Sequence, residues 1–145
     1  MDAGRIDGAS AFRLRVEAQW GLIACGTDAI PYALRMLTSP DAEIREDAGG
    51  ILGQLGKSDE VVEGVLAALE GETDDQARDS LVIAIGELGD PRGIPMLAKL
   101  IRSPETDGDT RFTAVQSLGR LARRRFDKQE DPARAAIRWL DGQGH

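Results

Sequence analysis

The stretch GELGDPRGIPMLAKLI, Gly86–Ile101, closes one apolar helix and opens another. Upstream, DDQARDSLVIAIGELG sets Ala77, Leu81, Ala84, Ile85 and Leu88 at the spacing that keeps side chains on one helical face. Gly89 suits the left-handed residue that ends a helix, Asp90 suits the cap of the next, and Pro91 suits its first helical position. The stretch therefore reads as a tight joint between two helices.

The joint recurs. DAEIREDAGGILGQLG from Asp41, DDQARDSLVIAIGELG from Asp74 and DGDTRFTAVQSLGRLA from Asp107 superpose at steps of 33 residues. Columns of like residues follow: Asp41, Asp74 and Asp107; Arg45, Arg78 and Arg111; Gly53, Gly86 and Gly119; Leu55, Leu88 and Leu121. A fainter copy, FRLRVEAQWGLIACG, fits at an offset of 30, pairing Arg15 with Arg45, Ala18 with Ala48, Leu22 with Leu52 and Gly26 with Gly56. This first copy lacks the capping Asp at that offset. Alternate helices are expected over 29–38, 60–69, 92–101 and 132–140, with Ile30-Pro31 and Ile94-Pro95 in equivalent places. Fixed-period self-similarity of this kind signals a stacked repeat architecture, in which one amphipathic pair cannot bury its apolar stripe alone.

The period also suits ankyrin and tetratricopeptide repeats, but neither T-P-L-H nor W-x-x-L-G-x-x-Y occurs. The pattern of Asp, an apolar residue, Arg, then A-x-x-x-L-G-x-L-G-D-P and an I-P-x-L helix resembles HEAT repeats, and among them the variety named after phycobilisome lyases. The resemblance runs over residues 11–140 and is best at 74–101. It implies an all-α superhelix, a solenoid of about four antiparallel helix pairs. Its Arg column implies a ladder that ties neighbouring repeats, while the Asp column reads as helix caps. Residues 1–10 and 141–145 are expected to be flexible ends of a single domain, 11–140.

Composition agrees with a small aliphatic core: aromatic residues make up 4% of the 145 positions, so closely packed helices must fill the interior with Ala, Leu, Ile and Gly. The net charge of −7 argues against a general nucleic-acid binder, whose affinity comes from cations neutralising phosphates. The charge is also polarised. Residues 1–110 hold 10 basic and 21 acidic side chains, and residues 111–145 hold 8 basic and 4 acidic ones. No stretch has the apolar length of a membrane span, and a cytoplasmic location is expected.

Candidate chemistry is sparse. The lone Cys25 falls in the column of Leu55, Leu88 and Leu121 and is expected to be buried packing, without a partner histidine, since the one His is His145. No His-Glu pair, phosphate loop or nucleophile triad occurs, so neither catalysis nor a cofactor or metal is expected.

The resemblance places the Asp-capped, Arg-bearing helices on the inner, concave side, with Ile44, Ala48, Ile51, Leu52 and Leu55 as the core stripe of one of them. At about 100° per residue the opposite stripe carries Glu46 and Gly50, and its copies carry Val16 and Trp20, Asp79 and Ile83, Phe112 and Gln116. Trp20, Ile83 and Phe112 are large apolar residues where polar ones belong, set beside Glu46 and Asp79. They point to a groove for a protein partner with a basic segment. Arg120, Arg123, Arg124 and Arg125 form a separate basic patch, expected to be solvated or to dock a protein; nucleic acid there is the weaker expectation, and a phycobilin-lyase-like enzyme subunit is the other alternative. An apolar end helix containing Trp139 leaves self-association through an end repeat open.

Overall fold

A computed structural model of the chain describes residues 7–145. Eight α-helices occur among them: α1 (Gly8–Ala24), α2 (Ile30–Met36), α3 (Ala42–Leu55), α4 (Asp59–Gly71), α5 (Asp75–Leu88), α6 (Ile94–Arg102), α7 (Gly108–Ala122) and α8 (Pro132–Gln143). The odd-numbered helices form one layer, with α3 packed along α5 and α5 along α7. The even-numbered helices form the other layer, touch one another sparingly, and α2, α4 and α6 each rest mainly on the odd helix that follows. The all-helical, paired array expected from the 33-residue period is therefore the observed architecture.

Local chemistry fixes the joints. The carboxylates of Asp41, Asp74 and Asp107 accept from the backbone N–H groups of Glu43 (2.9 Å), Ala77 (3.0 Å) and Thr110 (2.8 Å), satisfying donors that the first helical turn leaves orphaned. Each such cap contributes about 1 kcal/mol. Gly89 takes the left-handed conformation at φ 64°, and Asp90 caps a 3-10 turn, Pro91–Gly93, that leads into α6. The helix expected from residue 92 thus begins as a tighter turn; a similar 3-10 turn, Gly26–Ala29, precedes α2.

The glycine column explains why the odd layer is the closer one. A Cβ at Gly53 would lie 3.2 Å from Ala84 Cα, and one at Gly86 would lie 2.8 Å from Ser117 Cβ. Gly49 lies equally close to Ser80, whose hydroxyl donates to the Glu46 carbonyl at 2.6 Å. Absent side chains let backbones of adjacent odd helices approach, while the even helices stay apart. Between the layers, Ile51, Leu52, Val61, Val65, Leu81, Val82, Leu97, Leu118 and Leu140 are fully enclosed in one continuous core.

Several expectations are corrected. Ile44 is not core: it is 39% exposed while its counterparts Ala77 and Thr110 are buried, because α1 packs on α3 far less than α3 packs on α5 or α5 on α7. Cys25 is exposed rather than buried, since it ends α1 as its last capping residue and no outer helix covers it. The first copy does have a capping aspartate. Asp7 accepts from Ser10 N–H at 2.8 Å, one turn earlier than the 30-residue offset implies, because α1 is a turn longer. The arginine column is only partly a ladder. Arg15 and Arg45 reach the next repeat, whereas Arg78 and Arg111 fold back on carbonyls of the linkers before their own helices, at Glu72 and Thr73 and at Ser103 and Thr106.

The two ends differ. Where Gly53 meets Ala84 and Gly86 meets Ser117, Gly119 is approached by the Arg124 carbonyl and by Phe126. Phe126 is buried, with Trp139 tilted against it at 6.1 Å between ring centroids. The segment Arg123–Lys128 thus packs against α7 where the preceding odd helices meet their next odd neighbour. At the other end, α1 is the one helix without a buried residue among those described. It is held by Leu22 and Ile23 against the core and by Arg15 and Gln19, both donating to the buried Asp47 carboxylate.

Candidate binding face

The caps and glycine contacts fix the rotation of each odd helix, and with it the stripe that faces away from the core. On α3 that stripe is Glu43, Glu46, Gly50 and Gln54; on α5 it is Gln76, Asp79, Ile83 and Glu87; on α7 it is Asp109, Phe112, Gln116 and Arg120. The sequence-derived positions Glu46, Asp79, Ile83, Phe112 and Gln116 fall together on this face. Val16 and Trp20 are the α1 members of the same columns; Val16 is half-buried, while Trp20 stands out.

Trp20, Ile83 and Phe112 are 60%, 40% and 51% exposed. Large apolar side chains open to solvent on one layer of a small protein, where Phe12, Leu14 and Ile44 on the odd helices are exposed as well, form the kind of surface that partners cover. With interaxial steps of about 8–10 Å, the span from α1 to α7 is about 25–30 Å, the length of about eight extended residues.

The two central carboxylates differ. Glu46 already receives Arg15 at 3.2 Å, within a cluster in which the same guanidinium binds Glu43 at 3.0 Å and Asp47 at 2.5 Å. Asp79 has no cation within ion-pair distance among the described residues, and accepts a hydrogen bond from the Thr110 hydroxyl at 2.9 Å. Partial burial raises its pKa above the ordinary aspartate range, against the lowering effect of the Thr110 bond, and the nearby Asp107 carboxylate pushes the same way as burial. A carboxylate so placed gains from an incoming cation.

The face also holds residues outside the sequence-derived set: Glu43, Gln54, Gln76, Glu87 and Asp109 extend it by one turn in each direction. A step of three residues back from the Glu46 column and four on from the Gly50 column would have found them. Asp47 was missed for another reason. Its copies are Ser80 and Thr113, so no column marks it as the anchor of Arg15.

Arg120 belongs to the face as much as to the basic patch, one turn beyond Gln116 on α7 and 3.9 Å from Glu87. Gln116, Arg120, Arg123, Arg124, Arg125 and Asp127 line a recess of about 450 Å³ at the end of α7. Arg125 is paired with Asp127 at 3.1 Å. Arg123 sits at φ 52°, in the left-handed region, the one non-glycine residue there among those described. The conformation costs a side-chain-bearing residue about 1 kcal/mol or more, and the two preceding odd helices end in Gly56 and Gly89.

Among the described residues no group of three or more His, Cys, Asp or Glu is arranged to hold a metal ion, and no helix is long and apolar enough to cross a membrane. No curated protein matches the chain. A family model for HEAT repeats matches residues 62–141, more than half of the sequence, and covers α5 to α8 with the joints between them. HEAT repeat domains generally serve as protein-interaction scaffolds and are typically non-catalytic. The matched joints, the Asp-capped helices and the two-layer stack agree with that match, and the chain belongs to the HEAT repeat family.

Proposed function

We propose that the chain is a non-catalytic interaction module whose odd-helix face holds a segment of a partner protein, apolar over most of its length and carrying a basic residue. The observation that carries this reading is the row of exposed Trp20, Ile83 and Phe112 with Asp79, which has no cation within ion-pair distance among the described residues. A lysine or arginine from the partner would meet the Asp79 carboxylate, while aliphatic or aromatic side chains would cover the indole and phenyl rings. Val16, Glu46 and Gln116 complete the contact. Within the HEAT family, we assign the chain to the phycobilisome-lyase-like variety on its D-P and I-P joints, as one repeat domain over 11–140, acting in the cytoplasm.

Energetics favour a moderate affinity. Burying the exposed fraction of an indole of about 250 Å² is worth roughly 3–4 kcal/mol at about 25 cal/mol per Å². The whole row yields about 8 kcal/mol before the association cost of about 4–15 kcal/mol, so the Asp79 ion pair and backbone contacts must supply the surplus. The test is a Trp20→Ala/Phe112→Ala double variant. Helical circular dichroism should be unchanged, while affinity for a partner captured by the native protein should fall by about 30-fold or more, as for hot-spot residues. Undiminished affinity would refute the proposal.

A further inference from the structure

The recess at the end of α7 does something the groove reading leaves unused. Arg123 and Arg124 have no carboxylate within ion-pair distance among the described residues, and Arg120 has only Glu87 at 3.9 Å. Arg125 is neutralised by Asp127. Three guanidinium groups therefore border one cavity of about 450 Å³ with little internal compensation, in a chain whose net charge is −7. Like charges gathered this way repel unless an anion joins them.

The backbone adds an independent observation. The left-handed Arg123 turns the chain back, so that Arg124 N–H donates to the Gly119 carbonyl at 2.8 Å and Phe126 is buried over the end of α7. Glycine would make this turn without strain, as at Gly89, yet an arginine occupies it and lines the recess. Residues in sparsely populated backbone regions persist where the surroundings hold them and cluster at binding sites.

Resting on the groove reading, we propose that this recess is an oxyanion subsite for a phosphate monoester carried by the partner segment, next to the residues that follow Phe112 along the groove. Two features favour a dianionic phosphate over a single carboxylate: three largely uncompensated guanidinium groups, and forked donors that match its tetrahedral oxygens in pairs. Gln116, one turn from Arg120 on the same stripe, joins the recess to the groove and offers an amide donor. A nucleic-acid strand fits worse, because Glu43, Glu46, Asp79, Glu87 and Asp109 border its onward path across the odd-helix face.

The probe is phenyl phosphate, titrated into the full chain and followed by backbone and arginine Nε NMR resonances, with benzoate and a short single-stranded DNA as parallel arms. Saturable shifts confined to residues 116–126 are expected, with benzoate bound at least about tenfold more weakly. The variant is Arg123→Gly/Arg124→Gln, in which glycine relieves the turn and preserves the fold. It should melt no lower than the native protein yet lose phenyl phosphate binding by about tenfold or more. Absence of saturable shifts, equal binding by this variant, equal binding of benzoate, or tighter retention of the DNA at low salt would each overturn the proposal. The Trp20→Ala/Phe112→Ala protein should bind phenyl phosphate like the native chain, so failure of the recess and failure of the groove read out separately.

Discussion

Replacing Gly86 and Gly50 with alanine should have opposite effects, and the contrast tests the packing that shapes the molecule. Both lie inside odd helices, where glycine costs about 0.5–1 kcal/mol relative to alanine. At Gly50 nothing lies within 4 Å of an added Cβ, so Gly50→Ala should raise stability by up to that amount. At Gly86 the new Cβ would fall 2.8 Å from Ser117 Cβ and 2.9 Å from Ser117 Cα, too close to backbone for a rotamer change to relieve. Forcing α5 and α7 apart is overpacking of the kind that costs about 1–3 kcal/mol. Set against the propensity gain, Gly86→Ala should lose about 1–2 kcal/mol net. Urea unfolding followed by circular dichroism would show it as a lowered midpoint, and a thermal melt as a fall of about 2–8 °C. If Gly86→Ala stabilises the protein as much as Gly50→Ala, α5 and α7 are not in backbone contact at Gly86.

Three further outcomes follow from named contacts. Arg15→Ala leaves the buried Asp47 carboxylate with Gln19 alone, so α1 should exchange its amide hydrogens much faster while α3 to α7 keep their protection; uniform protection would contradict the anchoring role. Asp79→Asn should stabilise the fold at neutral pH, because a carboxylate whose folded pKa is raised opposes folding when ionised. That gain should vanish in acid as the native Asp79 protonates, and partner affinity should fall; a loss of stability at neutral pH would refute the reading. Asp90 is held well below the usual aspartate range by Arg92, whose side chain and backbone N–H both donate to it, and by Lys57. Asp90→Asn should therefore cost stability at pH 7, in a difference that persists above the ordinary carboxylate range and shrinks as pH falls below it. A pH-independent difference would show that capping, and not the ion pairs, is what the substitution removes.

The period and the joints were legible because they rest on local chemistry: an Asp cap, a terminating glycine and an apolar stripe act within a few residues. The Gly53, Gly86 and Gly119 column marked a contact without naming it, since small residues show only that something approaches. The ends were harder. Cys25 inherits its column from Leu88, but burial there needs an outer helix that α1 does not have beside it, so the column misleads. Arg15 looks like Arg45 in register and yet binds Asp47, a partner with no counterpart in later repeats. Arg78 and Arg111 turn to linker carbonyls instead; Glu105 stands where Glu72 stands for Arg45 but is exposed and pairs with no cation among the described residues, so the column alone did not say which arginine would reach across. The exposed residues of the binding face were readable from helical periodicity once the odd helices were assigned. The recess was not, because it depends on Arg123 turning left-handed and returning the chain over Gly119.

In the proposed function the odd-helix face, and not the even-helix face, receives a partner. Photo-crosslinking tests it most directly, with p-benzoylphenylalanine placed singly at Ile83 on α5 and at the exposed Lys99 on α6 in the source cell. Position 83 should give a discrete protein adduct that is lost in the Trp20→Ala/Phe112→Ala background, and position 99 should give none. Adducts from position 99 with none from position 83 would contradict it.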